Sequence, residues 1–530
     1  MTNSIADIGE ADVIMLTGSN TTENHPVIAE RIKQAALSGR TKLLIIDPRE
    51  LGLSRFATMH LKPRPGTDVA WINGMAAVVL NEGLQDGEFI AERCEGFQEF
   101  EQPLSEYTLE KVEAITGIAA SELVEAARLY GKAERASIFY AMGITQHVNG
   151  TGNVKALANL ALLCGNLGKA GAGINPLRGQ NNVQGACDVG ALPDFFPGYQ
   201  RVDDPDANKK FSEAWGVTLP SQPGLSLMEI MEGAREGEIR ALYIMGENPM
   251  VTDPDVRHVG EALTSVDFLV VQDIFLTETA ALADVVLPGA CFAEKEGTFT
   301  NTERRVQRVR KAVEPPGEAR EDHIILAALA ERLGSPGPSL KPDEIMEEIA
   351  SLVPSYAGIR HNRLNKGGLQ WPCPDIDHPG TPILHVGRFS KGKASFNPVD
   401  YLPSIEPPDE EYPFVLTTGR ILYHYHSGSM SRRSHNLEEK VSAGRVDINP
   451  EDARRLGLRE GDGVRLASRR GDLISHAHIS SRQPPGSIFA TFHFSEETAN
   501  LLTNPALDPV SKIPDLKVCA IKVERWERGE

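Results

Sequence analysis

The stretch that decides the fold reads Asp12-Val-Ile-Met-Leu16-Thr-Gly-Ser-Asn20 and, after residues 27–37, Lys42-Leu-Leu-Ile-Ile46-Asp-Pro-Arg49. Its two apolar runs have the length of buried strands, and residues 27–37 between them repeat apolar side chains at helical spacing. Strand, helix and strand in this order form a βαβ unit, in which the two strands lie parallel in one sheet. We therefore predict that the chain opens with an α/β lobe.

Small and polar residues follow both predicted strands. Gly18, Asn20 and Glu23 come after the first strand, and Asp47 and Arg49 come after the second. Ligands of open parallel sheets bind outside the carboxyl ends of the strands, so these residues are candidates for a nucleotide site. The chain has no GxGxxG fingerprint here, which argues against a plain NAD site. On spacing alone, a nucleotide site and an α/β layer without a ligand both stay open.

A second α/β lobe with the same organisation follows. The predicted strands Ala241-Leu-Tyr-Ile-Met245 and Asp267-Phe-Leu-Val-Val271 lead into Gly246-Glu-Asn-Pro249 and Gln272-Asp273, and Asp284-Val-Val-Leu-Pro288 is a third strand. The first two strands again end in small, amide or acidic residues. We predict two Rossmann-like α/β lobes that face one cleft, each with a nucleotide-like site.

The C-terminal part of the chain changes to short alternating strands. Residues 464–479 read as a hairpin about Arg470-Gly-Asp472, and a small closed β-barrel is the predicted form of this part. The region before it is rich in proline and reads as an irregular connector wrapped over the surface, with one helical passage at 324–333 and another around 345–352. The predicted domains are the first lobe at 1–177, the second lobe at 178–314 with its chain partly returning to the first, the connector at 315–411 and the barrel at 412–530.

The totals are those of a large globular protein. The chain has 530 residues, of which 41% are hydrophobic and 24% charged. No apolar run approaches the length of a membrane span and no signal pattern opens the chain, so we expect a cytoplasmic location. The net charge of −19 argues against a general nucleic-acid surface. The six cysteines are scattered, which predicts reduced thiols and no metal ligand within this chain.

One polar segment is punctuated by glycines: Asn175-Pro-Leu-Arg-Gly-Gln-Asn-Asn-Val-Gln-Gly-Ala-Cys-Asp-Val-Gly190. Arg178 offers a planar cationic fork that suits a carboxylate or a phosphate. The Asn and Gln side chains around it supply both donors and acceptors. From composition alone, a loop whose amides satisfy buried backbone groups is the simpler interpretation.

The part of this segment from Leu177 to Asp188 resembles, almost letter for letter, the active-site segment of molybdopterin-dependent formate dehydrogenases. The resemblance runs from about Ala11 to the C-terminus. A stretch from Thr277 to Asn301 is similar to the wider molybdopterin oxidoreductase class. The resemblance implies one molybdopterin guanine dinucleotide across each lobe, with the barrel capping both and one molybdenum or tungsten atom chelated between them.

The resemblance also implies which residues contact these dinucleotides. Those of the first lobe are Gly18, Asn20, Glu23, Asp47, Arg49, Gly66, Asp68, Met142, Gly143 and Gln146. Those of the second lobe are Gly246, Glu247, Asn248, Gln272, Asp273 and Thr277. Those elsewhere are Gly179, Gln180, Thr418, Gly419, Arg420, His424, His426, Phe492, Asn500 and Lys517. His424, His426 and the neighbouring His493 can instead be packed core histidines.

Arg178 resembles the family's active-site arginine, which orients the substrate carboxylate beside the metal. Formate has nothing but its carboxylate to bind, so a bidentate cation is a reasonable anchor. The implied reaction is the two-electron oxidation of formate to carbon dioxide. The electrons would leave through the pterin to an iron–sulfur centre, and then to iron–sulfur or NAD-linked partner subunits.

The chain departs from the family's pattern near its start. The family begins with a cysteine-ligated [4Fe–4S] domain and then supplies a cysteine or selenocysteine ligand followed by histidine, and this sequence contains no Cys–His pair. We expect the missing segment to be needed in cis or in trans and the chain alone to be inactive. A selenocysteine codon misread as a stop, with the start assigned to Met1, is the favoured explanation, and a separate polypeptide is the other.

Two further interpretations stay open. The first is an oxidoreductase of the same class with another small substrate, although the run from Arg178 to Asp188 argues against it. The second is a non-catalytic or split-subunit molybdopterin-binding protein. A non-catalytic relative would have decayed residues at its strand ends, whereas these residues are intact in both lobes.

Overall fold

The computed structural model describes residues 1–335 and 341–527. The chain forms two compact units. The first unit comprises Met1–Leu177, Val251–Arg257 and Ile383–Glu530, and the second unit comprises Arg178–Met250 and His258–Pro382. The domain bounds predicted from the sequence stay a prediction.

Strands and helices alternate along much of the chain. The strands are β1 (Val13–Thr17), β2 (Lys42–Ile46), β3 (Met59–Leu61), β4 (Cys94–Glu95), β5 (Ala136–Tyr140), β6 (Gly173–Pro176), β7 (Phe195–Phe196), β8 (Gln200–Arg201), β9 (Ala241–Met245), β10 (Phe268–Asp273), β11 (Val285–Pro288), β12 (Gly297–Thr300), β13 (Arg305–Val309), β14 (Leu369–Gln370), β15 (Ala394–Ser395), β16 (Phe414–Gly419), β17 (Val446–Ile448), β18 (Gly463–Ala467), β19 (Asp472–Ile479), β20 (Ser487–Thr491) and β21 (Cys519–Arg525). The α-helices are α1 (Thr21–Asn24), α2 (Pro26–Leu37), α3 (Asp68–Asn81), α4 (Gly87–Arg93), α5 (Phe97–Leu104), α6 (Leu109–Thr116), α7 (Ala120–Gly131), α8 (Met142–Thr145), α9 (Gly150–Leu163), α10 (Val183–Asp188), α11 (Pro205–Trp215), α12 (Leu227–Arg235), α13 (Pro249–Thr252), α14 (Val256–Ser265), α15 (Asp322–Arg332), α16 (Pro342–Leu352), α17 (His435–Glu438) and α18 (Pro450–Leu456). Short 3-10 helices span Ile5–Glu10, Ser54–Phe56, Ala280–Leu282, Pro354–Tyr356, His361–Lys366, Ser431–Arg433, Ser495–Glu497 and Ala499–Leu501.

A five-stranded parallel sheet forms the centre of the first unit, in the order β3-β2-β1-β5-β6. Every residue of β1 and β5 is buried, because helices cover both faces of the sheet. Alternate side chains of β1 therefore enter two cores. Ile14 shares one core with Ile32 of α2, and Met15 shares the other with Trp71 and Met75 of α3. The βαβ unit predicted at the start of the chain is confirmed.

The strand order of this sheet reverses at β1. From β1 the chain proceeds through β2 to β3 on one side, while β5 and β6 lie on the other side. A crevice for a ligand opens where the strand order of a parallel sheet reverses, at the carboxyl ends of the strands. The residues that follow β1, β2 and β5 are therefore the ones that a ligand would meet.

A three-stranded parallel sheet in the order β11-β10-β9 lies in the second unit. Helices α12 and α14 cover one of its faces, because Met231, Val259 and Leu263 share a buried core with Ile244 and Val271. The second α/β lobe predicted from the sequence is confirmed.

The region predicted as an irregular surface connector contains a buried core of the second unit. Strand β13 pairs with β12 and with β14 in antiparallel fashion. Beside them, Val306, Met346, Tyr356, Leu364 and Cys373 are buried together. Met346 belongs to the helix expected around residues 345–352, but its core also includes Val306 and Cys373, which are far from it in the sequence. The described residues of this region therefore contribute to a buried core.

The C-terminal part of the first unit is a closed barrel in the order β16-β20-β17-β19-β18-β21. Its inward side chains include Leu416, Ile448 and Leu466, which are fully buried. Strands β18 and β19 pair with Ala467 opposite Asp472, so the predicted hairpin and the predicted barrel are confirmed. All six cysteines are free thiols. In the parts of the chain that the structure describes, no helix combines the length and the apolar character needed to cross a bilayer.

Candidate functional site

Two glycines bring the turns after β1 and β5 into contact in the first unit. The N–H group of Gly143 donates to the carbonyl oxygen of Gly18 at 3.0 Å. A Cβ atom on Gly143 would lie 2.6 Å from the Cα atom of Gly18, and Gly18 has a φ of +55°, which other residues rarely adopt. The backbone at the reversal of the sheet therefore packs as only glycines allow, which suits close approach of a ligand to the main chain.

A buried acid, Asp47, and a partly buried cation, Arg49, follow β2. The N–H group of Arg49 donates to Oδ1 of Asp47 at 2.9 Å. The guanidinium carbon of Arg49 lies 3.5 Å from the ring centre of Phe489 in the barrel, and one of its nitrogens lies 3.6 Å from Oδ2 of Asp447. Burial raises the pKa of Asp47 to about 6. The strand end thus presents a buried carboxyl group next to a guanidinium that the barrel holds in place.

The barrel adds two further cations near Arg49. The ammonium of Lys517 donates to the carbonyl oxygen of Thr418 at 2.7 Å, and Arg420 is buried. Burial, and then the charges of Arg420 and Arg49, lower the pKa of Lys517 to about 7. Because like charges repel one another here, a bound anion would stabilise the protonated form of Lys517.

His147, a buried histidine that the sequence analysis missed, lies between the carboxyl groups of Asp515, which is buried, and Asp68, which is partly buried. Its Nδ1 atom is 3.6 Å from Oδ1 of Asp515, and its Nε2 atom is 3.9 Å from Oδ2 of Asp68 and 2.9 Å from the carbonyl oxygen of Gly143. Burial alone lowers the pKa of His147, but the contact with Asp515 and the charge of Asp68 outweigh burial and raise this pKa. Its place directly after the predicted contact Gln146 is the signal that the sequence offered.

These groups fit a ligand that carries phosphate and a base with N–H donors. Three cations, Arg49, Arg420 and Lys517, are at least partly buried around one strand end, and a phosphate would relieve their mutual repulsion. The carboxyl groups of Asp47, which is buried, and of Asp68, which is partly buried, are natural acceptors for the N–H groups of a guanine. The charge and hydrogen-bonding pattern therefore suits a guanine dinucleotide.

Residues near β1 and α1 that were predicted to contact the cofactor already take part in local bonds. Oδ1 of Asn20 accepts from the hydroxyl of Thr22 at 3.1 Å, and Glu23 lies 3.6 Å from the guanidinium of Arg482. Gly66 has a φ of +78° two residues before α3 begins. Their contact with a ligand stays a prediction.

The turn around α8 lies beside the segment that carries Lys517. Met142 begins α8, and the carbonyl oxygen of Gln146 accepts from the N–H group of Leu516 at 3.2 Å. A Cβ atom on Gly419 would lie 2.6 Å from the ring of Phe489. The structure therefore brings the predicted residues of α8 and of the end of β16 to one region of the first unit.

Two of the barrel histidines have protein partners on both ring nitrogens. Nε2 of His424 lies 2.6 Å from the carbonyl oxygen of Val441, and its Nδ1 lies 3.1 Å from the hydroxyl of Ser431. Nε2 of His493 accepts from the N–H group of Ile421 at 3.0 Å, and its Nδ1 bonds to the carbonyl oxygen of His426. Burial lowers the pKa of His493 to about 3 and that of His426 to about 4, so both rings are neutral. These bonds favour the packed-core interpretation for His424 and His493.

Two other barrel residues from the prediction have clear surroundings. Phe492 meets the ring of His426 edge-on with ring centres 5.9 Å apart. The amide of Asn500 donates to the carbonyl oxygens of Val251 and Thr252 at 2.8 and 3.0 Å. Asn500 thereby fixes the segment at residues 251–252 to the barrel.

In the second unit, the predicted residues gather at the carboxyl ends of β9 and β10. The N–H group of Gly246 donates to the carbonyl oxygen of Gln272 at 2.8 Å. Oδ1 of Asn248 accepts from the hydroxyl of Thr279 at 2.7 Å, and burial raises the pKa of Glu247. Oδ1 of Asp273 accepts from the N–H group of Ile274 at 2.6 Å. The hydroxyl of Thr277 accepts from the N–H group of Ala280.

The segment with Arg178 is anchored at its backbone and at its side chain. The N–H group of Arg178 donates to the hydroxyl of Thr302 at 3.2 Å, and its Nε atom donates to Oε1 of Gln184 at 3.3 Å. Gly179 and Gln180 follow Arg178 and are half-buried. The guanidinium is therefore oriented by an amide of α10, which is the arrangement expected of a group that binds a small carboxylate.

Behind this pair lies Asp188, whose role the sequence analysis missed. It ends α10, is 1% exposed, and accepts hydrogen bonds from Gln184, Tyr199, Tyr356 and Trp371. Tyr356 and Trp371 lie more than 160 positions away in the sequence. The only local signal is the spacing of four residues between Gln184 and Asp188, which places both on one helix face.

Two known family models match separate parts of the chain. Residues 1–332 match the family model described as molybdopterin oxidoreductase, and residues 414–520 match the molydopterin dinucleotide binding domain. The acetylene hydratase from Pelobacter acetylenicus has a similar structure, with a TM-score of 0.78 and 22% sequence identity, over 99% of this chain and 79% of that chain. This likeness shows the fold.

Sequence relatives are more closely similar. The chain is 52% identical to the F420-dependent formate dehydrogenase subunit alpha of Methanocaldococcus jannaschii, over 99% of this chain and 78% of the relative. It is 41% identical to formate dehydrogenase H of Escherichia coli, over 99% of this chain and 74% of the relative. The chain therefore belongs to the molybdopterin oxidoreductases, an enzyme family with a molybdopterin cofactor, and within that family to the formate dehydrogenase alpha subunits.

Proposed function

We propose that this chain carries the catalytic machinery for the two-electron oxidation of formate to carbon dioxide. The observation that carries the proposal is the oriented guanidinium of Arg178, in a chain whose relatives at 52% and 41% identity are named formate dehydrogenases. A planar cation binds a carboxylate through two parallel hydrogen bonds, and formate offers nothing else to bind. Arg178 would hold formate in one orientation and so lower the entropic cost of reaching the reactive geometry.

The residues of each unit have separate roles toward the cofactor. In the first unit, Arg49, Arg420 and Lys517 would hold the phosphates of one dinucleotide, and Asp47 and Asp68 would accept from its guanine. In the second unit, the strand-end residues would hold the other dinucleotide; they are Gly246, Glu247, Asn248, Gln272, Asp273 and Thr277. When bound, the molybdenum or tungsten and its pterins would supply the two-electron redox chemistry.

The proposal includes groups that a further segment, in cis or in trans, would provide. These are the [4Fe–4S] cluster, the cysteine or selenocysteine ligand of the metal and the histidine beside it. Electrons would then pass to iron–sulfur or NAD-linked partner subunits. Three relatives that are 49% to 52% identical are named F420-dependent, which supports F420 as the final acceptor.

The test uses the enzyme that contains this chain, purified with its cofactor. Incubation with ¹³C-formate and an artificial electron acceptor should release ¹³C-labelled carbon dioxide. Mass spectrometry of the released cofactor and metal analysis should find two guanine dinucleotides for each molybdenum or tungsten atom. Guanine dinucleotide without formate turnover would instead favour a non-catalytic binding protein, and turnover of nitrate but not formate would favour the other substrate class.

A further inference from the structure

The Asp188 carboxylate sits at the centre of a closed set of hydrogen bonds in the second unit. Its Oδ1 atom accepts from Nε2 of Gln184 at 2.8 Å and from the hydroxyl of Tyr199 at 2.9 Å. Its Oδ2 atom accepts from the hydroxyl of Tyr356 at 2.5 Å and from Nε1 of Trp371 at 2.7 Å. We call these five side chains the Asp188 network. Four donors thus satisfy both oxygens of a carboxyl group that is 1% exposed.

This network determines which end of the Gln184 amide faces Arg178. An ionised aspartate can only accept hydrogen bonds, so it binds the NH₂ end of a neighbouring amide. The hydroxyl of Tyr199, 3.0 Å from Nε2 of Gln184, accepts from the same NH₂ group. The oxygen of the amide is thereby turned outward, where Oε1 lies 3.3 Å from Nε of Arg178.

The opposite orientation of the amide would place two sets of donors face to face. The guanidinium of Arg178 has five N–H donors and no acceptor, so an outward NH₂ group of Gln184 would repel it. Gln184 can contact Asp188 because residues four apart on α10 lie on one face. The contacts therefore run from the carboxylate of Asp188, through the amide of Gln184, to the guanidinium of Arg178, and we call this chain of contacts the relay.

We propose that Asp188 is the positioning residue of the candidate active-site arginine and acts through Gln184 to set the orientation of the Arg178 guanidinium for substrate carboxylate binding. The proposal rests on the proposed function, since it assumes that Arg178 binds formate. Asp188 itself need not touch substrate or cofactor. The donors Tyr356 and Trp371 tie the carboxylate to the core of residues 306–373, which keeps the relay rigid.

The decisive variant is Asp188→Asn, which keeps the shape of the side chain but can present an NH₂ group to Gln184. With the cofactor-loaded enzyme that contains this chain, the dissociation constant of formate is measured at equilibrium, together with kcat and KM. We expect the dissociation constant and KM to rise about tenfold, which corresponds to the loss of one oriented charge-assisted contact. We expect kcat to change less than KM.

A matched control is available in the first unit. Asp508 is also 1% exposed, and its two oxygens accept from the N–H and hydroxyl of Thr151 and from the N–H groups of Val510 and Ser511. Asp508→Asn should lower the melting temperature to a similar extent but leave formate affinity within about twofold of the unsubstituted enzyme. Equal losses of affinity in both variants would mean that general destabilisation, and not positioning, causes the effect.

A double-mutant cycle tests whether the effect passes through Gln184. In a Gln184→Met background, Asp188→Asn should change the formate dissociation constant by less than about twofold, because the amide that transmits the effect is absent. Full additivity of the two substitutions would overturn the relay. The relay would also be overturned if Asp188→Asn left the formate dissociation constant unchanged while Arg178→Ala weakened formate binding. If the unsubstituted loaded enzyme binds no formate, the proposed function and this inference fail together, a result distinct from the failures above.

Discussion

The guanidinium of Arg49 lies 3.5 Å from the ring centre of Phe489, so a cation from the end of β2 rests on the aromatic face of a barrel strand. Arg49 and Phe489 are separated by most of the chain, yet both belong to the first unit. The contact joins the parallel sheet to the barrel at the place where the candidate dinucleotide would lie. It holds a charged group in a fixed position before any ligand arrives.

Substitution of Arg49 by lysine should weaken this junction. Lysine cannot provide the planar stack on Phe489, and the lost cation–π contact should lower the free energy of unfolding by about 1–2 kcal/mol. The same change should reduce the amount of guanine dinucleotide that copurifies. Thermal denaturation and nucleotide analysis measure the two effects.

The control for Arg49 is Arg55, which also stacks on a phenylalanine ring but on its neighbour in the sequence and not on a barrel strand. The guanidinium of Arg55 lies 4.8 Å from the ring centre of Phe56. Arg55→Lys should leave nucleotide content unchanged. Equal nucleotide content in the two variants would contradict a binding role for Arg49.

The substitution Gly143→Ala should disrupt the contact of the two turns. The added Cβ atom would lie 2.6 Å from the Cα atom of Gly18, so one turn must move. Overpacking of this kind costs about 1–3 kcal/mol, measured as a loss in the free energy of unfolding. Gly9→Ala is the control, because a Cβ atom there has nothing within 4 Å. Wild-type stability in Gly143→Ala would show that the turns are not closely packed in solution.

The carboxyl group of Asp47 should give the ligand-free chain a distinctive pH dependence. Burial raises the pKa of Asp47 from 3.8 to about 6, so between these pH values the folded chain holds a proton that the unfolded chain has lost. Asp47 therefore makes the folded state less stable as the pH rises through this window, by about 2–3 kcal/mol in total. Asp47→Asn should remove this contribution, so its stability relative to the unsubstituted chain should increase from pH 4 to pH 6.

Chemical denaturation of both chains across this pH range measures the difference. Asp203 is an exposed carboxyl group whose pKa the hydrogen bond to Arg201 lowers, so Asp203→Asn should not show the same increase. A constant stability difference between Asp47→Asn and the unsubstituted chain would contradict a raised pKa for Asp47.

Local patterns in the sequence were enough to predict much of the fold. The apolar runs at β1 and β2 are short and continuous, and Arg470-Gly-Asp472 marks the turn of the hairpin that the barrel contains. Buried parallel strands appear in the sequence as short continuous apolar runs, and the half-buried strands of the barrel alternate, so the two α/β lobes and the barrel could be predicted from the sequence.

Groups that depend on distant contacts could not be predicted in this way. His147 is recognisable as part of a charged cluster only when Asp515 is beside it, and Asp188 only when Tyr356 and Trp371 donate to it. The buried core that Met346 and Tyr356 share with Val306 likewise joins parts of the chain that are distant in the sequence. Non-local packing leaves no periodic trace along the chain.

The most direct test of the central claim is the KM for formate of the cofactor-loaded enzyme with Arg178→Ala. If Arg178 binds the substrate carboxylate, KM should rise about a hundredfold, since two charge-assisted hydrogen bonds are lost, while the cofactor content stays at its original level. Arg64→Ala is a suitable control, because Arg64 is exposed and binds backbone carbonyl oxygens of residues 114 and 115. An unchanged KM in Arg178→Ala with full cofactor content would contradict the account.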